Sequence, residues 1–178
     1  MSPQPEARSI TAEPLTEAAF APFGTVIDTA AVAPRPMNGG MARRFHDLAA
    51  IDVVGEGARA VIGLVEAEPY PLPLRLSLVE RHPLGAQAFV PLSRAPFLIV
   101  VCPDEAGRPG PPQAFVTTRP FQGICYARGT WHGVLTPFGA RQDFVVIDRG
   151  GRAGDAPGAN LEEHTFVQPW TVQLPGTA

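Results

Sequence analysis

The chain has 178 residues, 45% hydrophobic and 17% charged, and carries 18 glycines and 21 prolines. The glycine and proline share stops just short of the range where disorder is the default, and the apolar fraction is too high for a disordered segment; one folded, turn-rich domain follows. A net charge of −3 excludes a basic footprint for nucleic acid or an anionic membrane, and because all 14 basic residues are arginine, lysine Schiff-base chemistry is excluded too.

Residues 1–9 read as a mobile N-terminal tail, 10–170 as a single domain and 171–178 as a C-terminal tail. Met1–Ile10 is polar and holds Glu6, so it does not read as a secretory signal, and the longest apolar run, Phe97–Cys102, is far too short for a bilayer. Cys102 and Cys125 form no metal or redox spacing, which predicts reduced core cysteines in a cytoplasmic protein. Thr16 is placed to cap a short helix over Glu17–Ala21, ended by Pro22 and Gly24.

Beyond that helix, short apolar or alternating runs recur at Thr25–Ile27, Arg43–Leu48, Ala58–Glu66, Leu74–His82, Gln87–Val90, Phe97–Cys102, Ala114–Thr118, Gly123–Tyr126, His132–Thr136 and Asp143–Asp148. Pro, Gly and Asp clusters separate them, most densely at Pro103–Pro112. Many short strands at this spacing predict an all-β sandwich or barrel. In Leu74–His82, alternation puts Leu74, Leu76, Leu78, Glu80 and His82 on one face and Arg75, Ser77, Val79 and Arg81 on the other. A barrel interior with a polar mouth gives such a pattern, and so does a strand whose end emerges into solvent.

Glu80 and His82 are followed by a turn at Pro83–Leu84–Gly85 and then by Gln87, and Gly129-Thr130-Trp131-His132 comes much later. Cupins have a related arrangement, in which two ligands one residue apart on a strand are joined by a third after a turn and a histidine from a second motif. Two neutral imidazoles and a carboxylate can hold a divalent metal with open positions. A hydrogen-bonded polar cluster inside a barrel accounts for the same spacing.

The segment Leu78–Leu92 (LVERHPLGAQAFVPL) resembles the signature block of the ureidoglycolate lyase family. So do Tyr126–Gly133 (YARGTWHG), Gln142–Gly151 (QDFVVIDRGG) and Met37–Ala49 with its Asn38-Gly39 and Arg44–Ala49. Four blocks in order cover roughly Leu15 to Leu161. The chain departs from the family in its Pro103–Pro112 loop, in Gly133 and in a longer C-terminus.

The resemblance implies a cupin-like antiparallel barrel or jelly roll, usually a homodimer. It also implies a reaction that splits ureidoglycolate into glyoxylate and urea during allantoin and purine catabolism. A divalent metal, nickel or similar, is associated with the family, and no organic cofactor is expected. His132, His82 and Glu80 are then the candidate catalytic residues, and with Gln87 they are the candidate metal ligands. Without a metal, His132 is the preferred base, since histidine titrates near neutrality. Arg128, Tyr126, Asn38, Gln87 and His46 are candidates for substrate contact. Arg128 either reaches a carboxylate or pairs with Asp143 or Asp148. Tyr126 either donates a proton or packs with a satisfied hydroxyl. Asn38 and His46 rest on the resemblance, because Asn38-Gly39 otherwise reads as a turn and His46-Asp47 as neighbours facing apart. Arg81 reads as structural and His164 as part of an acidic tail. Two other functions share much of this pattern: a dioxygenase or isomerase cupin acting on a small acid, and a cupin that only binds a small ligand.

Overall fold

The computed structural model describes residues 8–151 and 158–176. Two sheets dominate. The first takes the strands in the order Ser9–Thr11, Glu162–Gln173, Leu74–Arg81, Trp131–His132, Phe97–Cys102, Gln113–Val116 and Glu13–Pro14, with Thr136–Pro137 also pairing with Phe97–Cys102. The second runs Gly24–Ile27, Gly123–Tyr126, Gln87–Pro91, Gln142–Gly150, Arg59–Ala67. The predicted cap is present, with the Thr16 hydroxyl accepting from the Ala19 N–H at 3.2 Å over the helix Glu17–Phe20.

Phe97–Cys102 is buried at every position, which is why it reads as an unbroken apolar run. Its Phe97, Ile99 and Val101 join Phe89, Ile124, Tyr126, Phe144 and Val146 of the second sheet in the core between the sheets. There Phe97 and Phe144 meet edge to face at 5.0 Å. Leu98, Val100 and Cys102 point the other way, into a second cluster with Leu74, Leu76, Val79, Trp131, Phe166 and Val172. The result is a nearly closed, cupin-like all-β barrel.

Three strand expectations change. Leu74 and Leu76 do not share a face with Glu80, since they pack in one cluster with Val79. The ladder to Glu162–Gln173 is interrupted between Thr165 and Trp170, while its partner advances only from Leu78 to Leu76. A bulge of this kind twists the strand and resets its alternation. Of the run Arg43–Leu48 only Arg43 and Arg44 are strand, within Ala42–Arg44, and Asp47 turns to φ +60°; His46 and Asp47 are exposed residues outside any strand. His132–Thr136 splits in two around Gly133–Leu135.

Glu162–Gln173, 12 residues long, is the longest strand and was hidden by its acidic start and by Pro169, a residue that argues against a central strand. Pro169 sits within the interrupted stretch, where no ladder bond is needed of it. The sheet also extends past the expected domain limits, as Ser9–Thr11 pairs in parallel with Thr171–Gln173. Residues 1–7 of the expected N-terminal tail and 177–178 of the expected C-terminal tail lie outside the described residues.

Candidate active site

Strand pairing assembles the site. His132 lies directly opposite Glu80 in the antiparallel ladder, and Tyr126 lies directly opposite Gln87 in the other sheet. The chain beyond Glu80 turns at His82–Gly85, where the His82 carbonyl accepts from Gly129 N–H at 3.0 Å. Gly129 holds φ +79°, a left-handed conformation that suits glycine, so the loop before His132 can close onto His82. Glu80, Gln87, Phe89, Tyr126 and His132 line a cavity of about 630 Å³ between the sheets. Glu66, Glu68, Tyr70, Val134 and Leu135 are also in its lining.

Ligand atoms of Glu80, His82 and His132 all lie within 4.8 Å of one another. The two imidazoles are 5.4 Å apart between ring centroids, and His82 Nε2 stands 3.8 Å from a Glu80 oxygen, too far for a hydrogen bond. Each ring uses its other nitrogen on a carbonyl: His82 Nδ1 meets Asn160 O at 2.7 Å, and His132 Nδ1 meets Gly133 O at 3.2 Å. A carbonyl only accepts, so both Nδ1 atoms carry hydrogen. In the neutral rings both Nε2 lone pairs are left, and both Nε2 atoms are buried without a hydrogen-bond partner, as is Gln87 Oε1. Buried polar atoms are rarely left so. Two unpartnered imidazole nitrogens beside a carboxylate are the chemistry of a cation site.

Electrostatics separate the two histidines. Burial pushes the His132 pKa down to about 4, only partly offset by the Glu80 charge, so the ring is neutral and a poor proton acceptor at neutral pH. Burial also opposes charge on His82, but Glu80 and the Asn160 carbonyl outweigh it and raise its pKa. His82 in turn holds the Glu80 carboxyl below its usual range. Without a metal, these shifts favour His82 over His132 as a base. Tyr126 stacks on His132 at 4.3 Å with the rings 4° from parallel, and burial raises its phenol pKa, so it stays protonated.

The other candidates are elsewhere. Arg128 pairs with Asp52 at 3.0 Å, neither with Asp143 nor with Asp148, and does not line the cavity. Asp143 instead pairs with Arg141. Asn38, at φ +52°, belongs to the exposed turn joining Arg35–Met37 to Ala42–Arg44. His46 is exposed as well. Arg81 faces away from the cavity, as its parity predicts, and bonds Asp104 and Glu162. His164 packs edge-on against Phe166 at 5.3 Å. Asn160 gave no signal in the sequence, because its partners His82 and Leu84 are 78 and 76 residues away.

The family model of ureidoglycolate lyase matches residues 7–173. A ureidoglycolate lyase of Chelativorans sp. (strain BNC1) is 56% identical over 94% of this chain and 98% of its own length. One of Mesorhizobium japonicum is 54% identical over 93% and 98%, and ureidoglycolate lyase 2 of Rhizobium meliloti is 51% identical over 90% and 94%. With a family match over residues 7–173 and relatives of this identity and extent, the chain belongs to the ureidoglycolate lyase family.

Proposed function

We propose that the protein is a carbon–nitrogen lyase that splits ureidoglycolate into glyoxylate and urea. The observation that carries the reading is the convergence of Glu80, His82 and His132 beside a cavity that Glu80 and His132 line. The substrate is a hemiaminal bearing a carboxylate. The hydroxyl proton leaves, the carbinol C–O becomes a carbonyl as the C–N bond breaks, and the urea nitrogen takes up a proton. No water is consumed, so one base and one acid suffice, each able to contribute roughly 10²–10⁴-fold.

Glu80, His82 and His132, with Gln87 beside them, fit a divalent ion, nickel or similar, because His82 Nε2, His132 Nε2 and Gln87 Oε1 are buried without a hydrogen-bond partner. Such an ion would act as a Lewis acid toward the substrate oxygens. The cavity walls add a second reason: among the described residues they include Glu66, Glu68 and Glu80 but no arginine. Among the described lining residues an anionic substrate therefore meets no arginine, and the His132 ring is neutral. Phe89 and Leu135 give the cavity an apolar wall. Tyr126, held protonated, can donate to the departing nitrogen but cannot serve as base at neutral pH.

The activity places the protein in the breakdown of allantoin and purine nitrogen, in the cytoplasm. Among the described residues no helix is long and apolar enough to cross a membrane. The family resemblance further supports a homodimer. Ile62 and Leu64 on the edge strand Arg59–Ala67 are 78% and 72% exposed, opposite Ile147 and Val145 on the neighbouring strand, an apolar face that a second copy would cover. Sedimentation at micromolar concentration would return twice the 18.9 kDa chain mass.

Incubation with racemic ureidoglycolate tests the reaction, with glyoxylate, urea and ammonia measured before and after chelation. Glyoxylate and urea in equal amounts, lost on chelation and restored by added ion, are expected. Ammonia release, oxygen uptake or no turnover would overturn the assignment.

A further inference from the structure

We propose that Asn160 is the positioning residue that fixes the ring of His82, and that the turn carrying it works as a strap across the end of the strand Leu74–Arg81. The proposal rests on the reading of Glu80, His82, Gln87 and His132 as a metal-holding set. Two bonds from one residue make the case. The Asn160 main-chain carbonyl takes His82 Nδ1–H at 2.7 Å, and its side-chain Oδ1 takes the Leu84 N–H at 2.6 Å. Asn160 thus grips both ends of the turn that follows Glu80.

The first bond decides which nitrogen of His82 is available. With hydrogen held at Nδ1, Nε2 turns its lone pair toward Glu80 and His132, where it is buried and unpartnered. Partners of this kind set ring orientation and ligand strength at metal sites. Any residue offers a carbonyl, but only a side chain with an acceptor can also tie itself to Leu84. The amide side chain is therefore what keeps the carbonyl of residue 160 over the ring.

The strap is anchored on its other side as well. A turn closed by the Leu161 N–H on the Gly158 carbonyl presents Asn160, and two residues later Glu162 pairs with Arg81 at 2.6 Å on the opposite face of the strand. Asn160 and Glu162 hold the adjacent residues His82 and Arg81 from the two faces. A turn that only closed a hairpin would need neither grip.

The test uses the full chain free of metal, with Asn160→Ala and Asn160→Asp. Long-range ¹H–¹⁵N spectra report which ring nitrogen of His82 is protonated, and calorimetric titration with NiCl₂ reports affinity. Wild type should show the Nδ1–H form. Asn160→Ala should shift His82 toward Nε2–H and weaken nickel binding about 10–100-fold, lowering kcat more than it raises KM. Asn160→Asp keeps the acceptor for Leu84 and should restore the Nδ1–H form. Wild-type His82 in the Nε2–H form, or Asn160→Ala with unchanged tautomer, would overturn the proposal. If wild type binds no nickel, the metal reading fails while the tautomer measurement still decides the role of Asn160.

Discussion

Glu80, Arg81 and His82 are consecutive, yet their two faces are finished in opposite ways. On the outer face, Arg81 bonds Asp104 at 2.8 Å and Glu162 at 2.6 Å and lies 4.5 Å over the Trp131 ring. Asp104 is itself filled, taking the Trp131 indole N–H at 3.0 Å and the Gly107 N–H at 3.1 Å. On the inner face, both imidazoles and Gln87 leave buried polar atoms unpaired. A network with every group satisfied holds a fold together, whereas one with lone pairs left over waits for a ligand. Under the proposed function, the contrast gives Arg81 a structural part and its two neighbours a chemical one.

The largest effect should come from the inner face. His132→Ala removes one unpaired nitrogen and the ring stacked on Tyr126, so turnover should fall by at least about 10³-fold. Near-UV circular dichroism should show the fold retained, and activity within tenfold of wild type would break the comparison. Glu80→Gln keeps shape and removes charge. Turnover should fall about 10²-fold and nickel affinity should drop, while the melting temperature of the metal-free protein shifts by less than about 3 °C.

The outer face should answer in the reverse sense. Arg81→Ala strips two ion pairs and a cation–π contact, but the acidic partners are about half exposed at 47% and 49%, so solvent screening limits the loss. A cost of about 1–2 kcal/mol is expected, or roughly 3–6 °C in melting temperature. Nickel affinity should stay within about threefold, because the site atoms are untouched. A large loss of metal with no thermal shift would exchange the roles of the two faces.

Much of this division was legible in the sequence. Alternation at Glu80, Arg81 and His82 separated the faces, and the blocks around Gln87 and His132 identified the other members of the cluster. Alternation failed lower on the same strand, since the bulge opposite Leu76–Leu78 depends on a partner strand whose acidic start and Pro169 concealed it. Asn160 was invisible because a main-chain carbonyl has no residue signature and its contacts close over 76 to 78 residues. Asn38 and His46 show the reverse limit: matched blocks mark residues that belong together in sequence, but those two side chains are exposed and lie away from the cavity.

Arg128 gives the smallest expected effect and the sharpest check on how the cavity handles charge. Its position two residues after Tyr126, within a signature block, is compatible with a substrate carboxylate as partner and equally with an ion pair to Asp143 or Asp148. The fold sends it outward to Asp52, with the two side chains 43% and 59% exposed, so the pair contributes little to stability. If the cation gathered by Glu80, His82 and His132 meets the carboxylate instead, Arg128→Ala should leave kcat/KM within about twofold, since an interaction absent from the bound state costs nothing when removed. A rise in KM of tenfold or more at unchanged kcat would mean that Arg128 leaves Asp52 to bind the substrate. The anion would then be held by a mobile guanidinium, and the case for a metal built on the arginine-free walls would lose its electrostatic half while keeping the unpaired atoms.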